Sequence, residues 1–355
     1  MEKIHLPKSL LESSAWNQNA NPIWPASSFF LIRNFSKMNF SSKLSQSLSA
    51  QLLERLSPLF AKIPALQHPT CIKAEQLDAQ EKEFLFEHFL CKEGFQNTTK
   101  GQAFVVDDSS HFLGLMNIYD HLQLQWIDSK GQWEKAWETL NNIALAVSSS
   151  MDFAFSPRFG SLTSDPSHCG TGLIVTCYLH IPALLFSGKL QEALSQYKEG
   201  SVLATGLQGK ADELIGDFLV LQNNYTLGIN EEAILRDLHT SATKIVLAEK
   251  TIRAHFKEKN DSNLRDLIGR GFGLLKHSYQ LQTKEALDAL SKIKLGIDLG
   301  WVGGISDTLV NEIFFQCRRA HLGFISQAAF SDHHNIARKR AEFIHKEIHA
   351  AEFAS

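Results

Sequence analysis

Cysteine is scarce in this sequence, and its few positions are scattered. The 355 residues contain five cysteines, at Cys71, Cys91, Cys169, Cys177 and Cys317. No two of them form a CxxC pair, and no set of cysteine and histidine has the spacing of a zinc site. An odd number of dispersed thiols is typical of reduced, mostly buried cysteines. The sequence therefore predicts neither a disulfide framework nor a metal site.

Long apolar runs and an excess of charge of one sign are also missing. No apolar run reaches the roughly 18 residues that span a bilayer, and residues 1 to 7 (MEKIHLP) lack the pattern of a signal peptide. Lysine and arginine number 35 against 38 aspartates and glutamates, for a net charge of −3. Binding to nucleic acid needs a strong positive field. We therefore expect a cytoplasmic protein without a nucleic-acid or membrane partner.

What the sequence does contain is the periodicity of an α/β protein. Residues 42 to 62 carry leucine at every fourth position, which indicates an amphipathic helix. From residue 102, short apolar runs are separated by polar pairs, and Leu122, Leu124 and Trp126 alternate with polar neighbours. Strands so closely spaced predict an antiparallel meander. The pattern favours an antiparallel sheet flanked by helices.

A charged, polar segment separates this region from a helical one. Asn230, followed by two glutamates, is typical of a helix N-cap. Residues 257 to 263 (KEKNDSN) have no apolar pattern, and almost everything beyond them has helical periodicity. We therefore predict a domain over residues 1–257 and a small, all-helical C-terminal domain over residues 258–355.

Four stretches resemble the bacterial protein-arginine kinases, a branch of the ATP:guanido phosphotransferase (phosphagen kinase) family. Residues 159 to 173 (FGSLTSDPSHCGTGL) are similar to that family's "GYLT-CPTN-GTGLR", and 179 to 184 (LHIPAL) to "LHLPAL". Residues 222 to 232 (QNNYTLGINEE) resemble "SNQ-TLG-SEE", and 273 to 275 with 295 to 300 (LGIDLG) resemble "GILK" and "RLGVDLG". The stretches occur in the family's order. The resemblance implies a glutamine-synthetase/guanido-kinase-like catalytic domain followed by a helical C-terminal domain.

The same resemblance implies that most of the family's reactive residues are replaced. Its phosphate-binding arginines correspond to Ser28, Phe30, Gln123, Ile174 and Thr205, while the last arginine of its N-terminal motif remains as Arg33. The two catalytic glutamates of "NEEDHLR" correspond to Ile118 and Tyr119, and its histidine is kept as His121. The reactive cysteine falls on Asp165, and a further glutamate falls on Lys210.

These replacements affect the groups on which the reaction depends. Phosphoryl transfer to a guanidinium needs Mg²⁺, cations around the phosphates and carboxylates that orient the acceptor. Without them, the sequence predicts a catalytically inactive pseudokinase with a regulatory or scaffold role, no cofactor, and no nucleotide binding. On this reasoning the chain is more consistent with a binding protein than with an enzyme.

Two other functions stay open. The chain is a divergent but active ATP:guanidino phosphotransferase if a rebuilt site uses Asp120, Asp165 and Lys210, and ATP and Mg²⁺ are then required. Alternatively, a vacated cleft lined by Phe30, Tyr119 and Ile174 binds a small molecule less charged than ATP, and the protein is a sensor.

The resemblance also implies partners. It leads us to expect a homodimer that binds a small zinc-containing activator or the Clp chaperone-protease machinery. The family's "RD--RA" motif, which reads phosphoarginine, corresponds to Ile336, Ala337, Arg340 and Ala341. Since Arg340 keeps a basic residue and its neighbours are basic too, we predict that Arg338, Lys339 and Arg340 contact an anionic partner.

Overall fold

The computed structural model describes residues 4–16, 21–195, 200–327 and 332–354. Its strands are β1 (Ala26–Arg33), β2 (Thr70–Lys73), β3 (Ala103–Val106), β4 (Phe112–Met116), β5 (Leu122–Asp128), β6 (Phe155–Ser156), β7 (Gly160–Ser161), β8 (Leu173–His180), β9 (Val202–Thr205), β10 (Phe218–Asn223), β11 (Val302–Gly303) and β12 (Glu352–Phe353). Its helices are α1 (Lys8–Leu11), α2 (Gln46–Phe60), α3 (Ala79–His88), α4 (Trp133–Ser148), α5 (Pro182–Phe186), α6 (Leu190–Leu194), α7 (Glu231–Lys259), α8 (Ser262–His277), α9 (Thr283–Leu299), α10 (Asp307–Gln316), α11 (Arg319–Ser326) and α12 (His333–Glu347).

Capping residues in the sequence set where several helices begin. The predicted leucine-rich helix is α2, and the side chain of Ser45 caps it by accepting a hydrogen bond from the N–H of Leu48. Asp78 and Glu81 form a capping box at the start of α3. The predicted N-cap of α7 is confirmed, because Asn230 Oδ1 accepts from the N–H of Ala233 at 2.9 Å.

The main sheet has the strand order β2-β3-β4-β5-β1-β8-β10-β9. Its first five strands pair antiparallel with their neighbours, and β3, β4 and β5 form the predicted meander. Helix α4 follows β5 and packs against it. The predicted antiparallel sheet flanked by helices is confirmed.

The register of β1 and β5 decides which side chains share a face. Phe30 lies opposite Gln125, and Ile32 lies opposite Gln123. Because side chains alternate along a strand, these residues point to one face together with Ser28. We call this the site face. On the opposite face, Phe29 makes an edge contact with Trp133 of α4, with ring centroids 5.3 Å apart.

The chain divides into two compact units. The first unit comprises residues 1–15, 27–176 and 222–238, and the second comprises 16–26, 177–221 and 239–355. Strands β8 and β10 each pass from one unit into the other along their length. The boundary that the sequence suggests at residue 257 stays a prediction.

Phenylalanine dominates the core of the first unit. Phe60 of α2 packs against Phe112 of β4, and Phe95 makes an edge contact with Phe104 of β3 at 5.0 Å between centroids. All four side chains are buried. Aromatic side chains therefore pack the helices against the sheet, and they bury large apolar areas.

In the second unit, Trp16 lies at the centre of a buried aromatic cluster. Its ring stacks on Phe314 at 5.4 Å and meets Phe315 edge-on at 5.0 Å. Tyr178 and Phe218 lie within 5.5 Å of it. The cluster thus joins a residue near the N-terminus to β8, β10 and α10.

A charged network is also buried in this unit, with Arg253 of α7 at its centre. Arg253 Nε donates to Glu249 Oε1 at 2.7 Å, Nη1 to Asp298 Oδ2 at 3.2 Å and Nη2 to the His180 carbonyl at 2.9 Å. Glu249 also accepts from the N–H groups of Ala183 and Leu184 at the start of α5. Every charge in the network is therefore matched by a charge or a hydrogen bond.

His180 is part of the same network. A guanidinium can only donate, so Nδ1 of His180 accepts from Arg253 and Nε2 donates to the Ser291 hydroxyl at 2.8 Å. Burial, followed by the positive charge of Arg253, holds the pKa of His180 well below its usual value. The imidazole stays neutral and serves as a structural link between β8, α7 and α9.

None of the helices in the described ranges is both long enough and apolar enough to cross a bilayer.

We expect Arg253→Met to lower the free energy of unfolding by about 3–5 kcal/mol, because it leaves the buried Glu249 without its cation. Urea denaturation of the full chain measures this. Arg270→Met is the matched control, since Arg270 forms an exposed i,i+4 pair with Asp266 on α8 and such pairs contribute about 0.3–0.5 kcal/mol. Equal stability of the two variants would show that the network contributes little.

Candidate active site

The loop between β4 and β5 carries the residues that correspond to the family's glutamates. It begins at Asn117, whose φ is 59° and whose Nδ2 donates to the Ser49 and Gly101 carbonyls at 3.0 Å. The Ile118 carbonyl accepts from Gln102 Nε2, and the side chain of Ile118 is half-buried. Tyr119 is 38% exposed. The replacements of both glutamates therefore lie at the surface of a firmly held loop.

Asp120 belongs to the same loop, but its side chain is buried. Its Oδ1 accepts from Asn34 Nδ2 at 2.6 Å and from the N–H of Ser164 at 2.7 Å, and its Oδ2 accepts from Gln123 Nε2 at 3.3 Å. The side chain is only 4% exposed. Asp120 thus ties the end of β1 and the start of β5 to the segment that contains Asp165, and it holds this part of the chain in place.

His121 is fully occupied by the scaffold. Since the N–H of Phe35 must donate to Nδ1 at 3.0 Å, the ring proton is on Nε2, which donates to the Asn39 carbonyl at 2.8 Å. Burial lowers the pKa of the imidazole, and its ring stacks on Phe35. The histidine kept from the family motif therefore orients the chain and is not free to act as a base.

The site face brings together three of the residues that correspond to the family's phosphate-binding arginines: Ser28, Phe30 and Gln123. Ser28 and Gln123 are buried, and Phe30 is half-buried. Gln125 Nε2 donates to the Ser28 hydroxyl and to the Phe89 carbonyl, both at 2.9 Å. Where the family has arginines, this face therefore carries a neutral hydrogen-bond network of amide and hydroxyl groups. Of the other two positions, Ile174 is half-buried on β8, and Thr205 ends β9 in the second unit.

The segment of residues 89 to 95 crosses this face, and three consecutive residues in it each contact a different element. Cys91 Sγ donates to Gln125 Oε1 at 3.8 Å, and burial raises the pKa of its thiol to about 12. Glu93 hydrogen bonds to Tyr119, whose pKa is raised to about 12 mainly by burial. We call residues 89 to 95 the crossing segment.

Between these two residues, Lys92 donates from Nζ to the side-chain oxygen of Gln222. Desolvation lowers the pKa of Lys92, and among the described residues no carboxylate pairs with it. A cation whose acceptor is a neutral amide has capacity for an anion. Sequence reasoning missed Lys92, because no motif marks it and its position depends on the path of the crossing segment.

Arg33, the arginine that remains from the N-terminal motif, has a structural role. Its Nη1 donates to the Ile32 and Thr171 carbonyls, both at 2.8 Å. Burial lowers its pKa to about 10, so the guanidinium is still charged at neutral pH. It holds the Cys169–Gly172 turn against β1.

The Cys169–Gly172 turn has little capacity for an anion. The N–H groups of Gly170 and Thr171 donate to the Ser161 and Thr226 carbonyls at 3.1 and 2.9 Å, so neither points into free space. Just before the turn, Asp165 is exposed and accepts from the N–H and the hydroxyl of Ser167. These hydrogen bonds lower the pKa of Asp165, which keeps a carboxylate next to the turn.

The remaining predicted residues lie in the second unit. Lys210 is exposed and pairs with Glu213 at 3.2 Å. Arg338 and Lys339 are exposed and both pair with Glu342. Arg340 is only 2% exposed and donates to the Cys317 and Leu281 carbonyls. Arg340 is thus used to satisfy backbone oxygens and is not at the surface, unlike its two neighbours.

No group of three or more His, Cys, Asp or Glu side chains within the described ranges is arranged to hold a metal ion.

Two family models match the chain, one after the other. Residues 53–252 match the ATP:guanido phosphotransferase C-terminal catalytic domain, and residues 261–354 match the protein-arginine kinase McsB C-terminal domain. Together they extend over most of the sequence. The resemblance proposed from short motifs is confirmed.

Curated relatives are similar over nearly their whole length. The protein-arginine kinase of Chlamydia pneumoniae is 38% identical over 327 residues, which are 91% of each chain. That of Chlamydia muridarum is 34% identical over 85% of each chain. That of Syntrophomonas wolfei is 31% identical over 92% of this chain and 91% of its own.

Solved structures with lower identity support the fold alone. Lombricine kinase matches with a TM-score of 0.58 at 15% identity, over 70% of this chain and 72% of its own. The duplicated taurocyamine kinase from Schistosoma mansoni, with bound transition state analog components, matches with a TM-score of 0.57 at 19% identity. That match covers 68% of this chain and 35% of the duplicated kinase.

The prediction of an inactive pseudokinase is wrong. The relatives that share up to 38% identity over most of the chain are protein-arginine kinases, and nothing in the comparisons indicates loss of activity. The error arose because comparison with the family motifs registers a charged residue only where the family itself has one. A phosphoryl-transfer site needs charges at suitable places in space, and Lys92 and Asp165 provide charges that those motifs do not contain.

Proposed function

We propose that this chain, which belongs to the ATP:guanido phosphotransferase family and to its bacterial protein-arginine kinase branch, transfers the γ-phosphoryl group of ATP to arginine side chains of proteins. The observation that carries the proposal is the 38% identity to a protein-arginine kinase over 91% of both chains. The matches to both family domains, in order, support it.

In this reaction the bond between the γ-phosphorus and the bridging oxygen of ATP breaks, and a bond from phosphorus to a guanidinium nitrogen forms. ADP leaves, and the guanidinium nitrogen loses one proton. We assign Asp165 to the acceptor, because its exposed carboxylate can take charge-assisted hydrogen bonds from a guanidinium and orient it. Water beside this exposed carboxylate receives the released proton. Asp120 positions the Asp165 segment through the N–H of Ser164.

The phosphates of ATP need cations, and Mg²⁺ enters with the nucleotide as part of the substrate. We assign Lys92 to them. Lys210 and Arg33 are weaker candidates, because Glu213 and two backbone carbonyls already occupy their charged groups. Lys92 needs to exchange only a neutral partner, the amide of Gln222.

The proposal extends to the setting of the enzyme. We propose a cytoplasmic homodimer whose C-terminal region, residues 258–355, contacts protein partners of the kinds that the family resemblance implies, a small zinc-containing activator and the Clp machinery. Exposed Arg338 and Lys339 suit an anionic contact, whereas the near-neutral net charge of −3 does not suit nucleic acid, and no membrane partner is included.

Sedimentation equilibrium of the full chain tests the dimer. We expect a mass close to twice 39.8 kDa at micromolar concentration. A mass of one chain at that concentration would contradict the dimer and leave the proposed reaction untouched.

The reaction itself is tested with the purified full chain, Mg-ATP and reduced, carboxymethylated lysozyme. Mass spectrometry under non-acidic conditions should find phosphoarginine that depends on ATP. Asp165→Asn should lower the rate at least about tenfold, because the charge that orients the acceptor is lost. Asp152→Asn, at another exposed aspartate, is the control and should keep the rate. Absence of phosphoarginine with the unaltered chain would refute the proposal.

Lys92→Met should raise the KM for ATP about tenfold or more, because a charge-assisted hydrogen bond to phosphate contributes roughly 1.5–3 kcal/mol. Initial rates at varied ATP measure this, and Lys130→Met, which removes an exposed lysine after β5, should leave the KM unchanged. If both variants keep the KM of the unaltered chain, Lys92 does not contact the nucleotide.

A further inference from the structure

Four large apolar side chains in the first unit are exposed on segments that adjoin the one carrying Asp165. Phe155 is 69% exposed, Phe159 43%, Tyr225 53% and Leu227 49%. They lie on the β6–β7 hairpin and on the loop after β10. We call these four residues the apolar ledge. Single exposed apolar residues are ordinary, whereas a group of them on adjoining segments is typical of a binding surface.

Glycines hold the segments of the ledge together. A Cβ on Gly160 would lie 2.6 Å from the Gly170 carbonyl oxygen, and a Cβ on Gly170 would lie 2.7 Å from the Cα of Leu227. Only glycine permits such an approach of backbones. Phe159 directly precedes Gly160, so Phe159 and Leu227 lie on the two segments whose backbones meet that of Gly170.

Hydrogen bonds make this arrangement firm. The N–H of Ser161 donates to the Gly170 carbonyl at 2.8 Å, and the N–H of Thr171 donates to the Thr226 carbonyl at 2.9 Å. The Thr226 hydroxyl donates to the Cys169 carbonyl at 2.7 Å. The ledge is therefore presented on a backbone that is already ordered, and a partner that docks there has little ordering to impose.

The charges around the ledge suit a cationic partner with apolar neighbours. Asp165 lies in the middle segment, and exposed Glu232 follows the loop that carries Tyr225 and Leu227. Arg158 has its guanidinium 5.0 Å from the centroid of the Phe159 ring, so the chain's own cation already covers that ring face. The two carboxylates complement an arginine flanked by apolar side chains.

We infer that the apolar ledge is the docking surface for the protein substrate, and that it selects extended segments in which arginine lies beside apolar or aromatic residues. The inference rests on the proposed function and deepens it. The ledge holds the residues that flank the acceptor, while Asp165 holds the guanidinium.

The test uses the full chain with Phe159→Ser and Leu227→Ser combined. Both side chains are substantially exposed, so the melting temperature should stay close to that of the unaltered chain. Fluorescence anisotropy with fluorescein-labelled, reduced and carboxymethylated lysozyme should show a dissociation constant raised at least about tenfold. In kinetic assays the KM for this protein should rise similarly, while the KM for N-acetyl-arginine amide should stay the same.

The matched control is Leu145→Ser combined with Leu247→Ser, which removes two leucines that are 55% and 57% exposed on α4 and α7. It should bind the labelled protein as the unaltered chain does. Equal binding by the ledge variant and the unaltered chain would contradict the docking role of the apolar ledge. A lack of measurable binding by the unaltered chain would contradict it as well. Binding that depends on the ledge without formation of phosphoarginine would support the ledge and refute the proposed reaction.

Discussion

A buried guanidinium, that of Arg253, is the interaction on which the second unit depends. Taking a cation out of water costs several kcal/mol unless its hydrogen bonds and charge are matched. Glu249, Asp298 and His180 match it here, and in doing so they join α7, α9, the end of β8 and the start of α5. Strand β8 runs from Leu173 to His180. His180, at its end, belongs to this network, and Leu173, at its start, directly follows the Cys169–Gly172 turn.

The candidate site combines a rigid frame with few charges. Asp120 and His121 use their polar atoms to hold neighbouring backbone, and on the site face the positions of family arginines are occupied by Ser28, Phe30 and Gln123. Neutral amides bind phosphate oxygens less strongly than guanidinium groups do, because charge assistance roughly doubles the strength of a hydrogen bond. The proposed phosphoryl transfer therefore requires that the few charges present be well placed, and that binding energy come from groups away from the reacting atoms.

The successes and the error of the sequence reasoning have physical causes. The order of the glycine-rich, "LHIPAL" and "LGIDLG" stretches was enough to identify the fold, because these segments depend on local backbone geometry. The conclusion that the chain is inactive was wrong, because it considered only the positions at which the family motifs place their arginines, glutamates and cysteine. An alignment of motifs cannot register a charge that arrives from an unrelated segment.

The sequence by itself determined the period-2 strands, the cap at Asn230 and the family, since each depends on residues close together along the chain. Only the tertiary structure decided that Lys92 reaches Gln222, 130 residues away, and that Arg340 is buried while Arg338 stays exposed. It also decided that the segments carrying Phe159 and Leu227 both pack closely against the backbone of Gly170. Such contacts depend on how distant segments pack, and neither hydrophobic period nor motif spacing encodes that packing.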